Sequence, residues 1–166
     1  MILSHIDVSG NPAMVNVGEK PVTKRTAKAR AMVILPLQVL ALFKDHEIKT
    51  PKGPVFQTAI IAGVMAAKRT GELIPLCHPL GLEDCQIQIE LNEDGEVVVD
   101  CTASVTGKTG VEMEALTGAT VAALTIYDMC KAMSHDIVIK EVKLMEKTGG
   151  KRPYKRATTS DGHIAI

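Results

Sequence analysis

Asp128 and Lys131 stand three residues apart in the stretch Ala123-Leu-Thr-Ile-Tyr-Asp-Met-Cys-Lys-Ala. On a helix that spacing puts both on one face, and an acid beside an amine can move protons in either direction. The same face carries Val121 and Leu124, residue types of a core or an interface. The pair is therefore either a plain ion pair or a buried, tuned catalytic pair. Glu112 and Glu114 flank Met113. Glu112 follows Thr109 at the spacing of a capping box, which would open a helix there, and acids in a first turn suit the helix dipole. Pro75-Leu-Cys77-His78-Pro79 sets a thiol and an imidazole side by side in a segment that proline keeps extended. Neighbours on extended chain point to opposite sides, so Cys77 and His78 do not suit one metal ion. His78 is a candidate for acid–base work or phosphate binding, with a structural loop histidine as the competing reading. Gly107-Lys108-Thr109 ends like a phosphate loop, but that pattern needs glycine at 102, where Thr102 stands.

Charge is unevenly spread. Basic residues dominate from Glu19 to Arg30 and again from Lys140 to Arg156, while Glu83 to Asp100 is acidic throughout. Two separated basic segments could meet on one anionic small molecule; solvated faces are the plainer explanation. Helix geometry adds a constraint. If one helix runs from Glu114 to Asp128, the two lie about 21 Å apart, beyond the reach of two side chains around one reacting bond. A site using both ends then lies between subunits.

The elements that must position these groups follow from periodicity. Alternation around Ala27, Ala29, Ala31 and Val33 predicts a strand over 25–35. Pro36 with Leu37, Leu40, Ala41 and Lys44 predicts a short helix, and Thr50-Pro51-Lys52-Gly53-Pro54 a turn-rich loop. Val55 to Thr70 is apolar almost all round and rich in Ala and Gly, the pattern of a buried helix that lets other backbones approach closely. Cys85 to Leu91 and Glu96 to Val105 alternate on either side of Asn92-Glu-Asp-Gly, which predicts a hairpin. A helix from Thr109 to about Met133 and a strand over 137–145 complete the set. That order predicts an α+β layer of helices on an antiparallel sheet, of split-βαβ type. The expectation is one domain over 1–166, with a loose arm over 1–18 and a polar, mobile tail over 148–166.

Composition bounds the class. The chain has 166 residues, enough for one domain with a full core and no disulfides. Nineteen basic residues balance nineteen acidic ones, which argues against gripping nucleic acid by bulk charge. Four aromatics (Phe43, Phe56, Tyr127, Tyr154) are too few for a base-stacking platform. The apolar run Ala59–Ala67 is too short to span a membrane. Four cysteines without a C-x-x-C pair, and an N-terminus without the marks of a secretory signal, set the cytoplasm as the expected location.

Lys52-Gly, Ala62-Gly-Val-Met-Ala-Ala-Lys-Arg-Thr, Ile74-Pro-Leu-Cys-His-Pro-Leu, Gly107-Lys-Thr-Gly-Val-Glu-Met-Glu-Ala-Leu and the Asp128–Lys131 stretch occur in this order. Together they resemble the cyclic pyranopterin monophosphate synthase family, the C protein of molybdenum cofactor biosynthesis, over roughly residues 4–151. The resemblance implies a ferredoxin-like fold and a homohexamer built as a trimer of dimers, with sites between subunits. It implies a lyase that converts 3′,8-cyclo-7,8-dihydroguanosine 5′-triphosphate to the cyclic pterin monophosphate and releases pyrophosphate. No redox or organic cofactor is implied, though Mg²⁺ could enter on the triphosphate. By position, Leu76, Cys77 and His78 match a substrate-binding loop, and Met113 and Glu114, beside Glu112, a second binding segment. Asp128 matches the catalytic position, with Lys131 one turn later and Lys52 as an active-site lysine. Lys20, Arg25, Lys147 and Lys151 match positions that reach the triphosphate. Asn16 departs from the family's usual aspartate, and Arg152-Pro153 from its usual Ser-Gly. The competing functions are a nucleotide-binding regulatory module of the same fold, and a metal-dependent phosphohydrolase, which would call for clustered carboxylates.

Overall fold

The computed structural model describes residues 6, 7 and 9–157; the other residues of the expected arm and tail lie outside these. The main sheet is built on β1 (Thr23–Ile34), whose alternate residues Ala27, Ala29, Ala31 and Val33 are wholly buried. On one side β1 pairs antiparallel with β6 (Val97–Gly107), from Thr23 opposite Gly107 to Val33 opposite Val97. On the other it pairs with β7 (Val138–Thr148), with register shifts after Lys28 and Met32. The expected hairpin forms: β5 (Asp84–Leu91) pairs with β6 across 92–95, where Gly95 takes φ +76° and Asn92 Oδ1 accepts the Glu96 N–H at 2.8 Å. The sheet order is β5-β6-β1-β7-β8, with β8 at Tyr154–Lys155.

Two long helices, α2 (Val55–Lys68) and α4 (Glu112–Cys130), lie side by side on one face of this sheet. Leaving out the short elements, the chain runs strand, helix, strand, strand, helix, strand. Its first and second long strands are separated by the third, the split βαβ arrangement of a ferredoxin-like α+β fold. The small residues of α2 act as the composition suggests. A Cβ on Gly63 would lie 2.8 Å from the Gly118 carbonyl oxygen and 3.1 Å from Ala122 Cβ, so the helices touch backbone to backbone. The open face of the sheet is polar, with Asp100 gripped by Arg30 through two bonds of 2.7 and 2.8 Å and by Lys28 at 2.9 Å.

Several expectations need correction. The helix after Pro36 is one turn, α1 (Leu37–Leu40), and it buries Val39 while Leu37 is exposed, so the expected stripe is not its inner face. Residues 43–54 form a second small sheet of β2 (Phe43–Lys44), β3 (Glu47–Thr50) and β4 (Gly53–Pro54), and the loop around Lys52 is the turn of its second hairpin. Gly71, in the short α3 (Thr70–Leu73), lies close to the next loop: a Cβ there would sit 3.1 Å from Pro79 Cα. The loop carrying His78 therefore packs directly on backbone. The polar stretch after 148 supplies β8, which pairs with Glu146 and Lys147.

Candidate active site

The N-terminal end of α4 carries the first cluster. The capping box does not form: the helix starts after Val111, and no side chain caps it. Glu112 instead binds Lys147 Nζ of β7 at 2.7 Å, because the sheet brings a cation within reach that competes with a bare backbone amide. Beside it lies a cavity of about 380 Å³ lined by Lys20, Leu76, Cys77, His78, Glu112, Met113 and Glu114, all expected, and by Val15, Val17, Leu80, Thr109 and Gly110. Segments distant in sequence meet there because the arm folds back over the loop. His78 Nε2 lies 2.8 Å from the Val15 carbonyl, and Lys108 Nζ donates to the Gly18 carbonyl. A carbonyl only accepts, so Nε2 carries a proton and a neutral ring keeps Nδ1 as its acceptor.

Glu114 is buried in this cavity. Burial raises its carboxyl pKa above the ordinary value, and the charge of Glu112 pushes the same way. Burial, aided by the charge of Glu114, likewise raises the Cys77 thiol, which favours a neutral contact over a thiolate. A second hollow of about 460 Å³ joins the first at Lys20 and is also lined by Asn16, Glu19, Pro21 and Lys151. Asn16 spends its side chain on the arm, its Oδ1 accepting the Gly18 N–H at 2.8 Å. Arg25 is buried outside both hollows. Its Nε donates to the Gly107 carbonyl at 3.0 Å, and Nη1 lies 3.2 Å from where a Cβ on Gly150 would sit. Within this chain it ties β1 to the end of β6 and lies beside Gly150.

The second cluster sits at the other end of α4. Asp128 Oδ1 accepts from Lys131 Nζ at 2.7 Å, and Asp128 Oδ2 from Lys52 Nζ at 2.9 Å. Lys52 also donates to the Asp128 backbone carbonyl at 2.9 Å. Lys131 first, then Lys52, hold the Asp128 carboxyl down at about 2. The trio is about half exposed in the single chain, so the buried pair allowed by the sequence is not what one chain forms. Leu124, one turn back, is exposed as well. Glu114 and Asp128 are fourteen residues apart on one continuous helix, about 21 Å by its rise.

A match to the MoaC family spans residues 14–150 and takes in both clusters. The chain belongs to the MoaC family. It is 49% identical to a cyclic pyranopterin monophosphate synthase of Xanthomonas campestris over 90% of its own length and 91% of the relative's. It is also 49% identical to cyclic pyranopterin monophosphate synthase 1 of Mycobacterium bovis, over 97% of this chain and 94% of that protein. Molybdenum cofactor biosynthesis protein 1 of Dictyostelium discoideum is 51% identical over 93% of this chain, which spans only 27% of that longer protein.

As a MoaC chain, this one presents a hollow with a buried acid of raised pKa at one helix end and a cation–acid–cation trio at the other. The hollow suits a flat heterocycle with polar edges, its basic rim suits phosphates, and the trio offers ammonium protons beside an ionised carboxylate. Lys108 is the residue that sequence reasoning passed over. The stretch Gly107-Lys-Thr-Gly already singled it out, but its partner Gly18 lies ninety positions away. No helix among the described residues is long and apolar enough to cross a membrane.

Proposed function

We propose that the chain is a cyclic pyranopterin monophosphate synthase of molybdenum cofactor biosynthesis, working in the cytoplasm at sites shared between copies. One observation carries this reading: seven expected binding residues line one cavity, while the three expected catalytic residues bond to one another at the far end of the same helix. The substrate is 3′,8-cyclo-7,8-dihydroguanosine 5′-triphosphate. Its guanine-derived rings enter the cavity against Leu76, Met113 and the Cys77–His78 edge, where His78 Nδ1 accepts and the buried Glu114 carboxyl pairs with a polar edge of the rings. The triphosphate runs over Lys20 and Lys151, with Lys147 and Arg25 behind them. These cations stabilise the charge that gathers on the departing pyrophosphate as the cyclic phosphate closes. Magnesium, where it takes part, comes in on the triphosphate.

A second copy brings Lys52, Asp128 and Lys131 to the reacting rings, in a homohexamer arranged as a trimer of dimers. Asp128, ionised throughout the working pH range, fixes both ammonium groups, and the lysines deliver and recover the protons of ring opening and reclosure. The test is pyrophosphate release from the cyclic triphosphate by the purified chain. Lys52→Ala and Asp128→Ala cut turnover about 10²- to 10⁴-fold, to a small residual rate, while the circular dichroism spectrum stays unchanged, since exposed ion pairs hold little of the fold. Near-normal turnover in either variant removes that residue from the mechanism. Binding of the nucleotide without pyrophosphate release would leave a regulatory module instead.

A further inference from the structure

Glu47 is a buried carboxylate that the chemistry above does not use. Its Oε1 accepts the N–H of Ile48 and of Phe56, both at 2.8 Å, and its Oε2 accepts the N–H of Gln57 at 3.2 Å. Phe56 and Gln57 belong to the first turn of α2, whose own N-cap, Pro54, provides no side-chain bond. A serine, threonine or aspartate at 54 would cap that helix locally. Glu47 does so from the first residue of β3 and thereby ties two segments together. Those segments are the stems of the hairpin whose turn is Pro51-Lys52: β3 ends at Thr50, and β4 runs straight into α2. Thr50 Oγ1 closes the turn, accepting the Lys52 N–H at 3.2 Å and donating to the Gly53 carbonyl at 3.3 Å.

Two further facts converge on this clamp. The two-residue turn before Glu47 holds Asp45 and His46 at φ +53° and +61°, the left-handed conformation that a tight hairpin requires at both positions, and so delivers Glu47 at a fixed place at the start of β3. Cys130, two residues beyond Asp128, feels the Glu47 charge. Burial and then that carboxylate push its thiol up to about 11.

We propose that Glu47 is the positioning residue for Lys52: it locks the base of the Lys52 hairpin onto α2 and so sets the ammonium against Asp128. This rests on the reading of Lys52 as catalytic. Glu47→Gln keeps one acceptor but turns an amide toward the Gln57 N–H, and the clamp loosens. In the full-length protein, kcat for pyrophosphate release falls about 10- to 100-fold, while KM, set at the opposite end of α4, stays within about threefold. In a Lys52→Ala background the same change lowers the residual rate no further. Should Glu47→Gln fold poorly, Glu47→Asp, which keeps the charge but shortens the reach, takes its place in both comparisons. An unchanged kcat beside a strongly impaired Lys52→Ala overturns the positioning role and leaves Lys52 in place. A fall in kcat that recurs in full in the Lys52→Ala background makes Glu47 merely structural. Near-normal turnover in Lys52→Ala overturns both readings.

Discussion

A Glu114→Ala chain and an Asp128→Ala chain, each strongly impaired alone, regain activity when assembled together. The residues lie on opposite ends of α4, and no single nucleotide bond can meet both side chains of one chain across about 21 Å. If a site takes its Glu114 end from one copy and its Asp128 end from another, random assembly of equal amounts leaves about one quarter of the sites with both groups intact. If each site lies within one chain, no site is intact, because every chain lacks one group. Co-expression with two affinity tags and tandem purification isolates mixed oligomers, and native mass spectrometry gives their composition. Pyrophosphate release per site is then compared with the wild-type value. Mixed oligomers of verified composition that show no recovered rate refute the shared site and, with it, the placement of Lys52 and Lys131 opposite the cavity.

Other outcomes follow from packing and charge. Gly63→Ala gains up to about 1 kcal/mol of helix propensity but forces a methyl against the Gly118 carbonyl and Ala122, where overpacking costs about 1–3 kcal/mol. The net loss is a Tm about 2–4 °C lower by calorimetry; an unchanged or higher Tm contradicts the backbone contact. His46→Gly relieves a left-handed residue in an exposed turn and, after the added freedom of the unfolded chain, stabilises by about 0.5–1 kcal/mol in urea. A loss would show that the His46 side chain does more than turn the chain. Glu114→Gln removes a carboxyl whose folded pKa is raised above its ordinary 4.5. A raised native pKa means stability that is complete below the ordinary value and lost as pH rises through the folded one. The variant therefore melts higher than wild type at pH 7, gains nothing at pH 4, and turns over more slowly. Equal melting temperatures at pH 7 would mean that Glu114 is not strained by burial.

Much of this protein is legible from local pattern. Alternation placed the β5–β6 hairpin and β1, because a period of two encodes which face each residue takes wherever partners come. The all-round apolar, glycine-containing stretch placed α2, and its small residues do meet α4. The motif residues Leu76–His78 and Glu112–Glu114 were named from sequence, and they share one cavity. Tertiary structure decided what a one-dimensional pattern cannot encode, the choice of partner. The Thr109–Glu112 spacing is a sound capping signal, yet Lys147, thirty-five positions on, took the carboxylate because β7 brings an ammonium to it. The small sheet over 43–54 has strands too short to show a period, and it stands on Glu47, whose three amide partners include two from a helix not yet begun in sequence. The arm is held by His78 and Lys108 through backbone carbonyls, which carry no side-chain identity to read. Local periods come from the chain's own geometry and survive translation into sequence; these long-range bonds arise only when the sheet has closed.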